Sequence, residues 1–199
     1  MVRGLEIEWQ FILSAVSEDA LRSATRSRRI RQAYLTQVGH AIRVRHIDDG
    51  YLMTVKSGGG LVRREVEFAI APDVAKELFE IADENTIDKI RYDLGGWEID
   101  VFQGRHEGLL IGEVEVEHEQ DPLPPAPTGV EVLCDVTEER GFHNQFLASL
   151  DETEARALVA DLQAEPRAAL DAVRELSDSH ETGERPRYVG RPGGSIPTP

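Results

Sequence analysis

Glu6 and Glu8 stand two residues apart, with Gln10 two further on, in the run Leu5-Glu6-Ile7-Glu8-Trp9-Gln10-Phe11. Side chains at i and i+2 of a strand share a face, about 6.6 Å apart. This spacing therefore puts two carboxylates and an amide on one side and Ile7, Trp9 and Phe11 on the other. The design recurs in Arg43 and Arg45, in Arg63 with Glu65 and Glu67, in Lys89 and Arg91, in Glu98 and Asp100, and in Glu113, Glu115 and Glu117. The faces segregate by sign, although like charges adjacent on one face repel. Carboxylate oxygens suit hard divalent cations, and guanidinium forks suit phosphate oxygens. Two arrangements fit the pattern. One is an ordinary antiparallel sheet with its charged face in water. The other is a closed sheet with the charged face turned inward, where cations and a polyanion could be held together for phosphoryl transfer.

The elements that must carry these faces are readable from periodicity. Residues 4–14 alternate as a strand, and Ser17 reads as the N-cap of a helix over about 18–30. QAYLTQ, AIRVRHI, YLMTVKS and LVRREVEFAI follow as hairpin strands. They are separated by turns at Val38-Gly39, at Asp48-Asp49-Gly50 and at the triglycine 58–60, which lacks the GK[ST] ending of a phosphate loop. Pro72 and Asp73 open a helix with Val74, Leu78, Phe79 and Ala82 on one face. TIDKIRYDL, WEIDVFQ and LLIGEVEVEHE are strands again, and four prolines in DPLPPAPTG forbid regular structure. From residue 151 the pattern is helical, interrupted at Pro166, and the Pro- and Gly-rich end from 179 to 199 is expected to be disordered.

Composition bounds the partners. A chain of 199 residues, 40% hydrophobic, accommodates one well-cored domain. Its net charge of −15 disfavours nucleic-acid backbones and anionic membranes. Cys134 is the single cysteine and can form no intramolecular disulfide; no apolar leader or spanning run is evident, so a soluble, cytoplasmic protein is expected.

The ordered series resembles the CYTH domains, the triphosphate tunnel metalloenzymes. LEIEWQF is similar to their opening ExExK motif, and QAYL, IRVR, YLMTVKS, LVRREVE, DKIRY, WEIDVFQG and GEVEVE are similar to the successive strands of that family. The resemblance implies an α+β fold. Its centre is an eight-stranded antiparallel β-barrel forming a tunnel over residues 1–150, with helices outside it and a C-terminal helical extension over 151–178. It implies metal-dependent hydrolysis of a triphosphate, inorganic triphosphate first because no base- or thiamine-binding pocket is recognisable. The alternative is binding or conversion of another organic phosphate or nucleotide, such as thiamine triphosphate or ATP. By position it assigns catalysis to Glu6, Glu8, Lys56 and Arg91. Magnesium or manganese would be held by Glu6, Glu8 and Glu115, with Asp100 and Glu113 nearby. Phosphate would be held by Arg43, Arg45, Lys56, Arg63, Lys89 and Arg91. The partner is then a small-molecule polyphosphate, with no nucleic acid and no membrane, and a homodimer is left open.

Two places depart from the family pattern. Gln10 stands where the motif has lysine and can hydrogen-bond a phosphate or a metal-bound water without supplying charge. Near the end of the barrel, where the family is rich in Lys and Arg, this chain has Arg140, Gly141, His143 and Gln145. Tyr34 resembles a tyrosine that neighbours the motif lysine in some members. With all the charged faces turned inward, nine acids and six bases would leave a tunnel of net charge −3, or about +1 with two divalent ions.

Overall fold

A computed structural model describes residues 5–36, 40–57 and 61–179. The expected turns at Val38-Gly39 and at 58–60, and all of the expected tail beyond Ser179, lie outside those residues. Among the described residues the strands are β1 (Leu5–Val16), β2 (Arg26–Tyr34), β3 (Ala41–Ile47), β4 (Gly50–Ser57), β5 (Val62–Ala69), β6 (Thr86–Leu94), β7 (Trp97–Phe102), β8 (Leu110–Val116) and β9 (Val130–Asp135). They join antiparallel in the order β5-β4-β3-β2-β6-β7-β8-β1-β9, and a further β1–β5 pairing closes the first eight into a barrel. The long strand β1 makes this possible. One edge pairs β8 over Ile7–Ile12, while the other pairs β5 at Leu5–Ile7 and β9 from Phe11 onward. The expected eight strands are therefore the barrel, and β9 is an addition that the alternation did not reveal.

The helices are α1 (Glu18–Arg22), α2 (Pro72–Ala82), α3 (Asn144–Ser149), α4 (Glu152–Ala164) and α5 (Pro166–Ser179). Ser17 caps α1 as expected, accepting from Ala20 N–H at 3.1 Å, but the helix ends at Arg22 instead of running to 30. The reason is period: from Arg26 the chain alternates every second residue and pairs over eight rungs with β6 and five with β3. Two ladders outweigh the helix propensity of so short a segment. In α2 the buried face is Ala75, Leu78, Phe79 and Ala82, and Val74 is exposed, so the apolar stripe starts one residue later than periodicity suggested.

Three apolar layers surround the barrel. One side is covered by α2 over Ala33 and Val44. A second, with Trp9, Phe11, Trp97, Ile99 and Val114, is covered by α1 and by the proline-rich loop, whose Pro124 carbonyl accepts from Trp97 Nε1. Part of the outer cover is thus loop, not helix. The hairpin between β6 and β7 lets that loop approach, because Gly95 and Gly96 take positive φ in a two-residue turn between paired Leu94 and Trp97. The third layer closes one end of the barrel. Inward-facing Ile12, Tyr34, Ile87, Phe102 and Ile111 meet Phe142, Leu147, Leu158 and Val173 from α3 to α5 and the turn at Arg140–Phe142. Among the described residues no helix is long and apolar enough to cross a membrane.

Candidate active site in the barrel

Each strand changes character along its inner face. On β1, Glu6 and Glu8 give way to Gln10 and then to Ile12 at the closed end; on β8, Glu115 and Glu113 give way to Ile111. The charged portions enclose a cavity of about 300 Å³. The tunnel is therefore charged towards one end and filled with apolar side chains at the other.

Among the described residues six cations line the cavity: Arg28, Arg43, Arg45, Lys56, Arg63 and Arg91. Seven carboxylates join them: Glu6, Glu8, Glu65, Glu67, Glu98, Glu113 and Glu115. The lining charge is thus −1, not the −3 expected. Lys89 and Asp100 lie outside the lining, 1% and 0% exposed, paired with each other in the wall. Glu117 falls beyond the end of β8. Arg28, missed because the first half of β2 reads as helix, adds a positive charge and pairs with Asp93 and Glu98.

The ions are paired across strands. Lys56 Nζ bridges Glu6 at 2.6 Å and Glu65 at 2.8 Å, and Arg63 reaches Glu8 at 3.3 Å. Arg91 is gripped by Asp100, Glu98 and Glu113 together. Around Arg43 and Arg45 the pairs are long, 4.0 Å to Glu65 and 3.9 Å to Glu67, and Arg43 Nε has no hydrogen-bond partner. Burial, then repulsion from Arg43 and Arg91, lowers the Arg45 guanidinium to about 10.

The carboxylates are strained in the opposite sense. Glu8 and Glu115 are directly opposed in the β1–β8 ladder. Burial, then the neighbouring Glu113 charge, pushes the Glu8 carboxyl up to about 7 despite Lys56 and Arg63. Burial opposes ionisation of Glu113 too, yet Arg91 and Lys89 hold it well below the usual carboxylate range. No three His, Cys, Asp or Glu side chains among the described residues are grouped to hold an ion as they stand, because these carboxylates are turned onto Lys and Arg. The donor set still fits a hard cation, being all carboxylate oxygen with like charges crowded at Glu8.

The divergent residues occupy the inner part of the cavity. Gln10 is 2% exposed and donates from Nε2 to the Phe142 carbonyl at 3.1 Å. Tyr34 lines the cavity and its hydroxyl accepts from Gln32 Nε2 at 3.1 Å. His143 lines it as well, and burial, then Arg63, lowers its imidazole to about 4, so it is neutral near pH 7. Asn144 and Gln145 complete that wall, whereas Arg140 is exposed on the turn and is not among the lining residues.

A closed antiparallel barrel whose inner faces carry seven carboxylates and six cations defines a β-barrel protein with a charged central cavity. No protein-family model matches the chain. It is 37% identical over 123 residues to the inorganic triphosphatase of Acetivibrio thermocellus, covering 58% of this chain and 77% of that one. It is 33% identical over 153 residues to the inorganic triphosphatase of Nitrosomonas europaea, covering 72% and 96%. The crystal structure of an inorganic triphosphatase superposes with a TM-score of 0.51 at 28% identity, covering 74% of this chain and 95% of that one. The chain belongs to the inorganic triphosphatase family.

Proposed function

We propose that this protein is a metal-dependent triphosphatase of the CYTH type that cleaves inorganic triphosphate to diphosphate and phosphate. The observation that carries this is the double imbalance inside one cavity: Glu8 crowded by carboxylates, Arg45 crowded by guanidiniums. A divalent ion relieves the first and a polyanion the second. The names of the relatives supply the reaction.

In this scheme Glu6, Glu8 and Glu115, with Glu113 adjacent, would hold magnesium or manganese. The bound ion would neutralise charge developing on the transferred phosphoryl group. Arg43 and Arg45 form the primary phosphate seat, since their carboxylate partners stand 4.0 and 3.9 Å away. Lys56 and Arg63 couple the two halves: released by Glu6 and Glu8, they turn to phosphate oxygens. Arg91 keeps Glu113 ionised, and Lys89 with Asp100 supports it from behind. No side-chain nucleophile is required. The single, partly buried Cys134 fits the reducing cytoplasm as the compartment.

The test is phosphate release from inorganic triphosphate, ATP and thiamine triphosphate in magnesium, in manganese and in EDTA. Turnover of inorganic triphosphate with metal, abolished by EDTA, is expected. No turnover at micromolar enzyme overturns the assignment. Because the lining is net −1, triphosphate should bind at least about ten-fold more tightly with magnesium than in EDTA, and equal affinities would remove the metal from the scheme.

A further inference from the structure

The turn at Arg140–Phe142 is held from both inside and outside the barrel. From inside, Gln10 donates to the Phe142 carbonyl, the Gln10 N–H donates to Thr137 Oγ1 at 3.0 Å, and Val136 N–H donates to the Gln10 carbonyl at 2.8 Å. Gln145 Nε2 donates to the Thr36 carbonyl at 2.9 Å, tying the following residues to the end of β2. From outside, α5 closes on the same segment. Arg174 pairs with Glu139 at 2.6 Å, and Val173, fully buried, lies directly over Gly141. A Cβ at Gly141 would overlap Val173 Cγ1 and stand 3.1 Å from the Val173 carbonyl oxygen. Gly141 does not have a positive φ, so space alone demands glycine there. The next residues, His143, Asn144 and Gln145, are cavity wall.

We infer that α5 is a positioning element for the active site. Val173 and Arg174, acting through Gly141 and Glu139, set the place of the His143–Gln145 wall. Through the Phe142 carbonyl and Gln10 they set β1, and with it Glu6 and Glu8. Position 10 is then a strut, not a missing charge: an amide can face the cavity and still satisfy a buried carbonyl. The inference rests on the proposed function, the turnover arm of its test on the reaction and the Mn²⁺ arm on the metal site alone.

Gly141→Ala, Gly141→Ala/Val173→Ala and wild type are compared well below their Tm. The readouts are kcat and KM for inorganic triphosphate with magnesium, and Kd for Mn²⁺ alone. Gly141→Ala should lower kcat/KM about ten-fold and weaken Mn²⁺ binding several-fold, since displacement of a site by a fraction of an ångström carries costs of that order. The second substitution removes the overlapping Cγ1 and should restore most of both. A merely structural contact would lower Tm while kcat/KM and Kd stay within about two-fold of wild type, and that result overturns the inference. If Gly141→Ala does not melt cooperatively, Val173→Ala/Arg174→Ala, which only removes atoms, decides by the same readouts. A loss of about three-fold or more supports the brace, and unchanged values overturn it. A wild type without turnover refutes the proposed function and leaves the Mn²⁺ arm to decide. One that also fails to bind Mn²⁺ overturns both.

Discussion

Two parts of the tunnel wall use the same residue types to opposite ends. Around β6 and β7, Arg91 is gripped by three carboxylates and Lys89 by Asp100, all but the 41% exposed Glu98 with little or no solvent contact. Around β3, Arg43 and Arg45 keep their carboxylates at 4.0 and 3.9 Å, and Arg45 is repelled by its neighbours. A closed buried ion network gives a fixed shape, because removing one member strands the others. In the proposed scheme the loosely paired guanidiniums of Arg43 and Arg45 are the phosphate seat. The first wall is scaffold in that scheme, and the second receives the polyanion.

The sharpest way to break this contrast is on the closed side. Lys89→Met leaves Asp100 buried with Arg91 alone, and should cost about 3 kcal/mol or more of unfolding free energy, read by denaturant titration. A loss below about 1 kcal/mol would mean the network is not scaffold. Next comes Glu8→Gln, which should lower kcat/KM about 100-fold, or about 2.7 kcal/mol, with unfolding free energy held or raised because a crowded carboxylate is removed. Smaller again is Arg45→Gln. It should raise KM for triphosphate about ten-fold, or about 1.4 kcal/mol, without loss of Tm, since the deleted charge is repelled in the empty protein. A fall in Tm with unchanged KM would exchange the roles assigned to the two walls.

The smallest effect concerns the closed end, where His106 Nε2–H donates to the Leu147 carbonyl at 2.9 Å. Burial, then Arg105, lowers its imidazole to about 4, so it folds neutral. The unfolded chain binds the proton near pH 6.5 and the folded one near 4, so stability is full above about 6.5 and declines as pH falls between the two. At pH 5.5 the loss should be about 1.3 kcal/mol relative to pH 7.5. His106→Gln should remove that component of the slope, and an unchanged slope would locate it elsewhere.

Much of the barrel was legible because a strand's side chains alternate whatever surrounds them. Glu6/Glu8, Arg43/Arg45 and Glu113/Glu115 could be assigned to shared faces before any fold was known. The first half of β2 was not, since Ser17 and the run Glu18–Arg22 are good helix starters and only two neighbouring ladders decide that the chain is extended from Arg26 to Ile30; Arg28 was lost with it. The strand β9 was hidden for the same reason, being specified by the spare edge of β1.

By itself the sequence determined which residues share a face and that the faces segregate by sign, because both follow from order and period along one chain. Only the tertiary structure decided which of those charges see the cavity. Lys89 and Asp100 have the same spacing as their neighbours, yet they cancel inside the wall, while Arg28 reaches the cavity. Tertiary structure likewise decided what Gln10 bonds to. Its partner is the carbonyl of Phe142, 132 residues away, and no local pattern encodes a contact made by closing the barrel onto its own C-terminal helices.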